Sequence, residues 1–258
     1  MADPDIVLSA DHDKSNYYYP AVVPIAVGRP VEAFANAFVF STSNVITHNA
    51  IQALQQQGFP LGLAQEMGNT RASHPIRFWI VDNSGSMRSS DGHEVRGSNK
   101  QSLMVVPCTR WKELQGAIEY HAELAGLIGA NTIFRMLNDP GATVGPQEFT
   151  VASDADSTSS IEQDVAQAVR IIQQAEPEGG TPLTEHLTVI RERIRAMAPT
   201  LQSQGQKAVV VLATDGLPSD ETGRSNERVT SEFIDALRSL QRLPVWIVVR
   251  LCTDESSV

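Results

Sequence analysis

Three short stretches combine residue types that can do chemistry. Asp82-Asn83-Ser84-Gly85-Ser86 follows the apolar run 76–81, and Thr214-Asp215-Gly216 follows the apolar run 208–213. Between them, Gly179-Gly180-Thr181-Pro182 opens a stretch of helical spacing. Together they offer only oxygen: the carboxylates of Asp82 and Asp215 and the hydroxyls of Ser84, Ser86 and Thr181. Hard divalent cations want such a set, and Mg²⁺ takes octahedral oxygen at about 2.0–2.1 Å while keeping several waters. No Cys or His lies in these loops, which disfavours zinc and copper. Asp82, Ser84 and Ser86 are two residues apart, so in an extended loop they project to one side. Gly85 allows a tight turn between the serines, and Gly216 frees the backbone after Asp215. Pro182 suits a first helical position. No His near either serine could act as a base, and no P-loop or nucleophile elbow occurs. Ser84 therefore reads as a ligand rather than a nucleophile, and no enzyme is expected.

These loops must be held by a frame, and the pattern after residue 72 supplies one. The runs 76–81 and 208–213 are continuously apolar, as strands covered on both faces require. The run 245–249 reads as a third buried strand. Residues 132–137 and 147–152 read as two more strands, joined through the turn signal Asn138-Asp139-Pro140-Gly141. Apolar residues at helical spacing mark helices near 110–129, 160–175, 182–199 and 228–241. Alternating units of this kind predict an α/β fold, a doubly wound, mostly parallel open sheet with helices on both faces. In such a sheet the three oxygen-rich loops fall at one carboxyl edge, where ligands bind.

The chain has 258 residues, 41% of them hydrophobic, with 30 acids against 20 bases. The composition excludes a mostly disordered chain or a rod. The formal charge of −10 disfavours nucleic acid and anionic membranes as partners. Two cysteines, Cys108 and Cys252, make no disulfide framework. The start of the chain is acidic where a secretory signal would be basic, and no apolar run approaches a membrane span. The expectation is a cytoplasmic protein. Residues 1–72 read as an N-terminal extension: 1–20 an extended or disordered lead-in, 44–68 two short helices around Gly58-Phe59-Pro60 that form a collar on the main domain.

Asp-x-Ser-x-Ser, a later Gly-Gly-Thr and a Thr-Asp-Gly after an apolar strand resemble the metal-ion-dependent adhesion site of a von Willebrand factor type A domain. The likeness covers residues 73–250 within a domain taken as 73–258. It implies that Ser84 and Ser86 bind a metal directly, that Thr181 does so in the ligand-engaged state, and that Asp82 and Asp215 act directly or through water. The ion would be Mg²⁺ or Mn²⁺, with Ca²⁺ as a further hard cation. A partner protein would present Asp or Glu to the ion, across loops near Asn83, Gly85, Gly180 and Gly216. The implied role is that of a metal-dependent adaptor.

Two departures from the family pattern stand out. Residues 87–109 intervene before the first long helix and read as a hairpin insertion, with its turn at Gly97-Ser98-Asn99-Lys100. The insertion either overhangs the metal or decorates the side of the domain. The strand and two helices that the family adds after 245–249 are not evident, and the apolar segment 21–41 is a candidate cover for the sheet edge this leaves. Two alternatives compete with the adaptor reading. One is a scaffold of the same fold that works without metal. The other is a phosphohydrolase built on Asp154 and Asp156, whose Asp-x-Asp-x-Thr form resembles haloacid-dehalogenase-type phosphatases.

Overall fold

The computed structural model describes residues 46–97, 103–153, 158–220 and 222–253. Helices α1 (His48–Gln56) and α2 (Leu61–Ser73) come first, followed by strand β1 (Arg77–Val81). A 3-10 turn, Gly85–Arg88, leads into strands β2 (Gly92–Arg96) and β3 (Met104–Cys108). Helix α3 (Arg110–Ile128), strands β4 (Thr132–Met136) and β5 (Glu148–Val151), and helices α4 (Thr158–Gln174) and α5 (Leu183–Ser203) follow. Strand β6 (Ala208–Thr214), helix α6 (Glu227–Gln241) and strand β7 (Val245–Leu251) complete the described elements.

The main sheet has the order β5-β4-β1-β6-β7. All its neighbours are parallel except β4 and β5, which run antiparallel. The fold is therefore α/β with a mostly parallel five-stranded sheet. Successive side chains of a strand point to opposite faces. Trp79 and Val81 accordingly join a core with α1 to α4, while Phe78 and Ile80 join a second core with α5 and α6. Helices thus cover both faces. The starts of α1, α3 and α6 are capped by side chains: Thr47 accepts from Ala50 N–H at 3.2 Å, Thr109 from Lys112 N–H at 3.1 Å and Asn226 from Val229 N–H at 3.1 Å. Helix α3 ends at Gly129 in the left-handed conformation, φ 63°, the usual way a helix is closed.

The helical collar is not a separate unit. Ile46, Ala50, Leu54 and Ala64 are buried in the same core as Trp79 and Trp111. Helix α2 also runs further than its sequence suggested, to Ser73. Helix α5 continues past 199 to Ser203 with Pro199 inside it. Proline removes one helical hydrogen bond there, but Leu201 is fully buried in the α5–α6 core, which carries the last turn onward.

Strand β7 corrects one expectation. The run 245–249 is a strand, but not a buried one: Trp246, Val248, Val249 and Leu251 are exposed. The strand is the edge of the sheet among the described residues: Val245 and Ile247 pack against the α5–α6 core, but its other apolar side chains lack the cover that β1 and β6 receive. The hairpin is present. β2 and β3 pair antiparallel from Gly92↔Cys108 to Arg96↔Met104; against strands expected at 93–96 and 102–106, β2 starts one residue earlier and β3 lies two residues later. The extension 1–45, including 21–41, the centre of the 97–100 turn and the Asp154/Asp156 pair lie outside the described residues.

One buried histidine carries a pH prediction. His186 sits between Arg135 and a backbone carbonyl: Arg135 Nε donates to Nδ1 at 2.8 Å, and Nε2 lies 3.0 Å from Leu137 O. A ring that accepts at Nδ1 and donates at Nε2 is neutral. Burial, then the charge of Arg135, depress its pKa to about 4, from an ordinary 6.5. The unfolded chain therefore binds the proton first as pH falls. The folded state is at no disadvantage above about 6.5 and loses stability progressively down to about 4. The loss is on the order of 3 kcal/mol, at about 1.36 kcal/mol for each pKa unit. Denaturant melts of the parent and His186→Gln between pH 7.5 and 4.5 check this. The parent should lose more stability over that window than the variant, and groups common to both cancel in the difference.

Candidate metal centre

The sheet topology brings the predicted loops together. β1 and β6 are adjacent and parallel, with Val81 opposite Ala213, so Asp82 and the Thr214-Asp215 pair leave the sheet side by side. Asp82 N–H donates to Ala213 O at 2.9 Å, extending the ladder by one bond into the loop. The Gly179-Gly180-Thr181 loop is tied to the same place. Gly85 N–H donates to Gly179 O at 3.1 Å, and Glu178 N–H to Asn83 O at 2.7 Å. Gly179 has φ 83°, and a Cβ there would run into the Asn138 side chain, so only glycine fits.

Four of the five predicted site residues are linked by hydrogen bonds, and the loop that carries Thr181 is tied to theirs by the bond from Gly85 to Gly179, although not through an extended loop. Ser84 is extended, and the chain then turns through the 3-10 segment Gly85–Arg88. Asp82 curls back so that Oδ1 accepts from Ser84 N–H at 2.9 Å. The two serine hydroxyls lie 3.0 Å apart, and Ser86 Oγ donates to Asp215 Oδ1 at 3.0 Å. Thr181 is buried, its N–H held by Ser219 Oγ at 2.8 Å. Asp82 and Ser84 are buried, whereas Ser86 and Gly216 are half-buried and mark the open side of the site.

The electrostatics are unbalanced. Asp82 is 0% exposed and makes no ion pair among the described residues. Its Oδ2 accepts from Thr214 Oγ1 at 2.5 Å. Burial, then the charge of Asp215, push its carboxyl well above the ordinary carboxylate range, against the hydrogen bonds from Ser84 and Thr214. Asp215 does have a cation: Arg110 Nη1 donates to its Oδ2 at 2.8 Å. The same guanidinium grips Asp91, with Nε at 2.5 Å from Oδ1 and Nη2 at 2.8 Å from Oδ2. Burial works against the charge on Arg110, but the hydrogen bonds with Asp91 and Asp215 outweigh it and raise its pKa. Hydrogen bonding to Arg110 lowers the Asp91 pKa to about 2. Two carboxylates, Asp91 and Asp215, thus share one guanidinium, and Asp82 has no cation among the described residues.

Several of these residues carried no obvious mark in the sequence. Arg110, Asp91 and the Thr214 hydroxyl were missed as parts of the site. So was the reciprocal clamp of two asparagines: Asn83 Nδ2 donates to Asn138 O at 3.0 Å, and Asn138 N–H to Asn83 Oδ1 at 2.8 Å. Arg110 left one clue. A base directly after the Thr109 cap opposes the helix dipole, so some other partner must hold it there.

His121 packs against Trp79 with ring centroids 4.7 Å apart and the planes tilted by 45°. Glu178 is exposed. Cys108 and Cys252 are free thiols, and burial pushes Cys252 up to about 12. Arg193 is half-buried. It bridges to Glu148 Oε1 at 2.7 Å, and Glu148 also accepts from Arg135.

The donor set fits a hard cation. Among the described residues no three His, Cys, Asp or Glu side chains form a metal-holding group. The candidate set reaches its number with hydroxyls instead, and its one carboxylate without a cation, Asp82, is completely buried. In comparisons with known proteins, no family model and no curated protein matches the chain. Among the described residues no helix is long and apolar enough to cross a membrane.

Proposed function

We propose that the chain is an adaptor domain resembling von Willebrand factor type A domains, which captures an acidic side chain of a partner protein through a divalent ion. Asp82, Ser84, Ser86, Thr181 and Asp215 would hold Mg²⁺ or Mn²⁺, directly or through water. The observation that carries this reading is the fully buried, cation-free carboxylate of Asp82 beside Asp215, at the carboxyl edge of a mostly parallel sheet. A charge in such a place is costly unless it is paired or coordinates a metal. An ion bound there would supply Lewis-acid attraction for an incoming carboxylate. The chain's own residues orient the donors: Thr214 and Ser84 N–H fix Asp82, Asn83 and Asn138 clamp the loops, and half-buried Ser86 faces the approach.

A second reading, the metal-free scaffold, has one observation in its favour. Arg110 already neutralises Asp215. It leaves Asp82 without a cation, which is why the metal reading is preferred.

The capture step is tested with acetate as the carboxylate probe. Mn²⁺ bound to the protein should enhance water proton relaxation, because it keeps exchangeable waters. Acetate should lower that enhancement by displacing a water, and acetamide at the same concentration should not. Equal responses to acetate and acetamide would contradict carboxylate capture.

A further inference from the structure

The two oxygens of Asp215 are committed differently. Oδ1 accepts from Ser86 Oγ at 3.0 Å and so faces the serine pair of the candidate centre. Oδ2 accepts from Arg110 Nη1 at 2.8 Å and faces the first turn of α3. Arg110 cannot easily turn away. Its side chain is 7% exposed, and its other edge is held by both oxygens of Asp91. Asp91 is fixed in turn by Thr253 Oγ1, which donates to Oδ2 at 3.0 Å just beyond β7. Backbone contacts lock the same junction: Arg110 N–H donates to Ser89 O at 2.9 Å. A Cβ on Gly92 would lie 2.6 Å from Thr109 O, so the base of the hairpin is pressed against the start of α3.

We propose that Arg110 is the residue that sets the ion selectivity of this site, by occupying Asp215 Oδ2 and leaving the carboxylate only Oδ1 to offer. The proposal rests on the metal-binding reading above. Ca²⁺ takes six to eight oxygens at about 2.3–2.6 Å and commonly uses carboxylates through both oxygens. Mg²⁺ is smaller, demands an octahedron and is content with single carboxylate oxygens and water. A carboxylate restricted to one oxygen therefore serves the smaller ion and starves the larger one. The planar guanidinium suits this task because its fork holds Asp91 and Asp215 at once. It also gives the hairpin a role: Asp91, at the foot of β2, keeps the fork in position.

The test is a calorimetric titration of the intact chain with Mn²⁺ and with Ca²⁺. The parent should bind Mn²⁺ at least ~10-fold tighter than Ca²⁺, a result that needs no variant. Arg110→Gln frees Oδ2 and removes a positive charge. Both ions should then bind more tightly, and the Mn²⁺ to Ca²⁺ affinity ratio should fall ~10-fold. Arg110→Lys keeps a charge but cannot span both carboxylates, so its ratio should fall in the same direction with less gain in overall affinity. A parent that binds Ca²⁺ as tightly as Mn²⁺, or variants with the parental ratio, would overturn the role of Arg110 while leaving the metal site standing. Binding of neither ion by parent or variants would overturn the metal reading itself.

Discussion

Asp82→Asn is expected to give a protein that is more stable than its parent without metal and no longer able to hold a divalent cation. The parent buries the Asp82 carboxylate completely beside Asp215, with hydroxyl and amide donors but no ion pair among the described residues. Folding therefore removes water from a charge and places it near a like charge, both of which favour the protonated form. Asparagine has nearly the same shape. Its Oδ1 can still accept from Ser84 N–H, and its Nδ2 can donate to the Thr214 hydroxyl, which can turn toward Gly216 O at 3.4 Å. The sign follows from the raised carboxyl: the folded state holds the proton more tightly than the unfolded chain, whose Asp titrates near 3.8. The parent's penalty is absent below that value, grows as pH rises and is complete above the folded-state pKa. The variant should gain about 1–3 kcal/mol at pH 7.5, or ~2–10 °C in Tm for a domain of this size. The gain should vanish near pH 4. Thermal melts in EDTA at the two pH values measure it. The loss of cation binding in the same variant would set stability against function at one position, as expected of a strained site.

The second large effect belongs to the serines. Ser84→Ala/Ser86→Ala removes two of the five candidate donors and leaves both carboxylates in place. The fold should tolerate this. Ser84 N–H still reaches Asp82, and the main loss within the fold is the bond from Ser86 Oγ to Asp215, worth ~1 kcal/mol. The site should not tolerate it. Changing residues that merely orient ligands costs metal sites about 10–100-fold in affinity, and two donors removed together should cost at least ~100-fold. The variant thus separates folding from binding in a way that neither aspartate can, because each aspartate carries charge that the fold also responds to.

The fold was legible where burial made the pattern one-dimensional. β1 and β6 are central strands, so their apolar runs are continuous and their ends were read to within a residue. The juxtaposition of the three loops was legible because each motif follows such a strand or opens a helix, and adjacent parallel strands must deliver their loops to one edge. Strand β7 was misread as buried because an apolar run says what a strand would like to cover, not whether anything covers it. The continuation of α5 through Pro199 was missed because the proline signal is local, whereas the burial of Leu201 is tertiary. Arg110 was missed for the same reason. Its partners are 19 and 105 residues away, and nothing in a helix-start arginine names them. The Arg135–His186 pair, 51 residues apart, is a third example. What the sequence hid is consistently pairwise and long-range, and what it showed is periodic or contiguous.

Metal binding at this edge of the sheet is tested by a calorimetric Mn²⁺ titration of the parent and of Ser84→Ala/Ser86→Ala, each first confirmed by a cooperative melt. The parent should bind one ion per chain, with a matching rise in Tm, and the variant none. No binding heat and no Tm shift for the parent at millimolar Mn²⁺, or equal binding by both proteins, would contradict it.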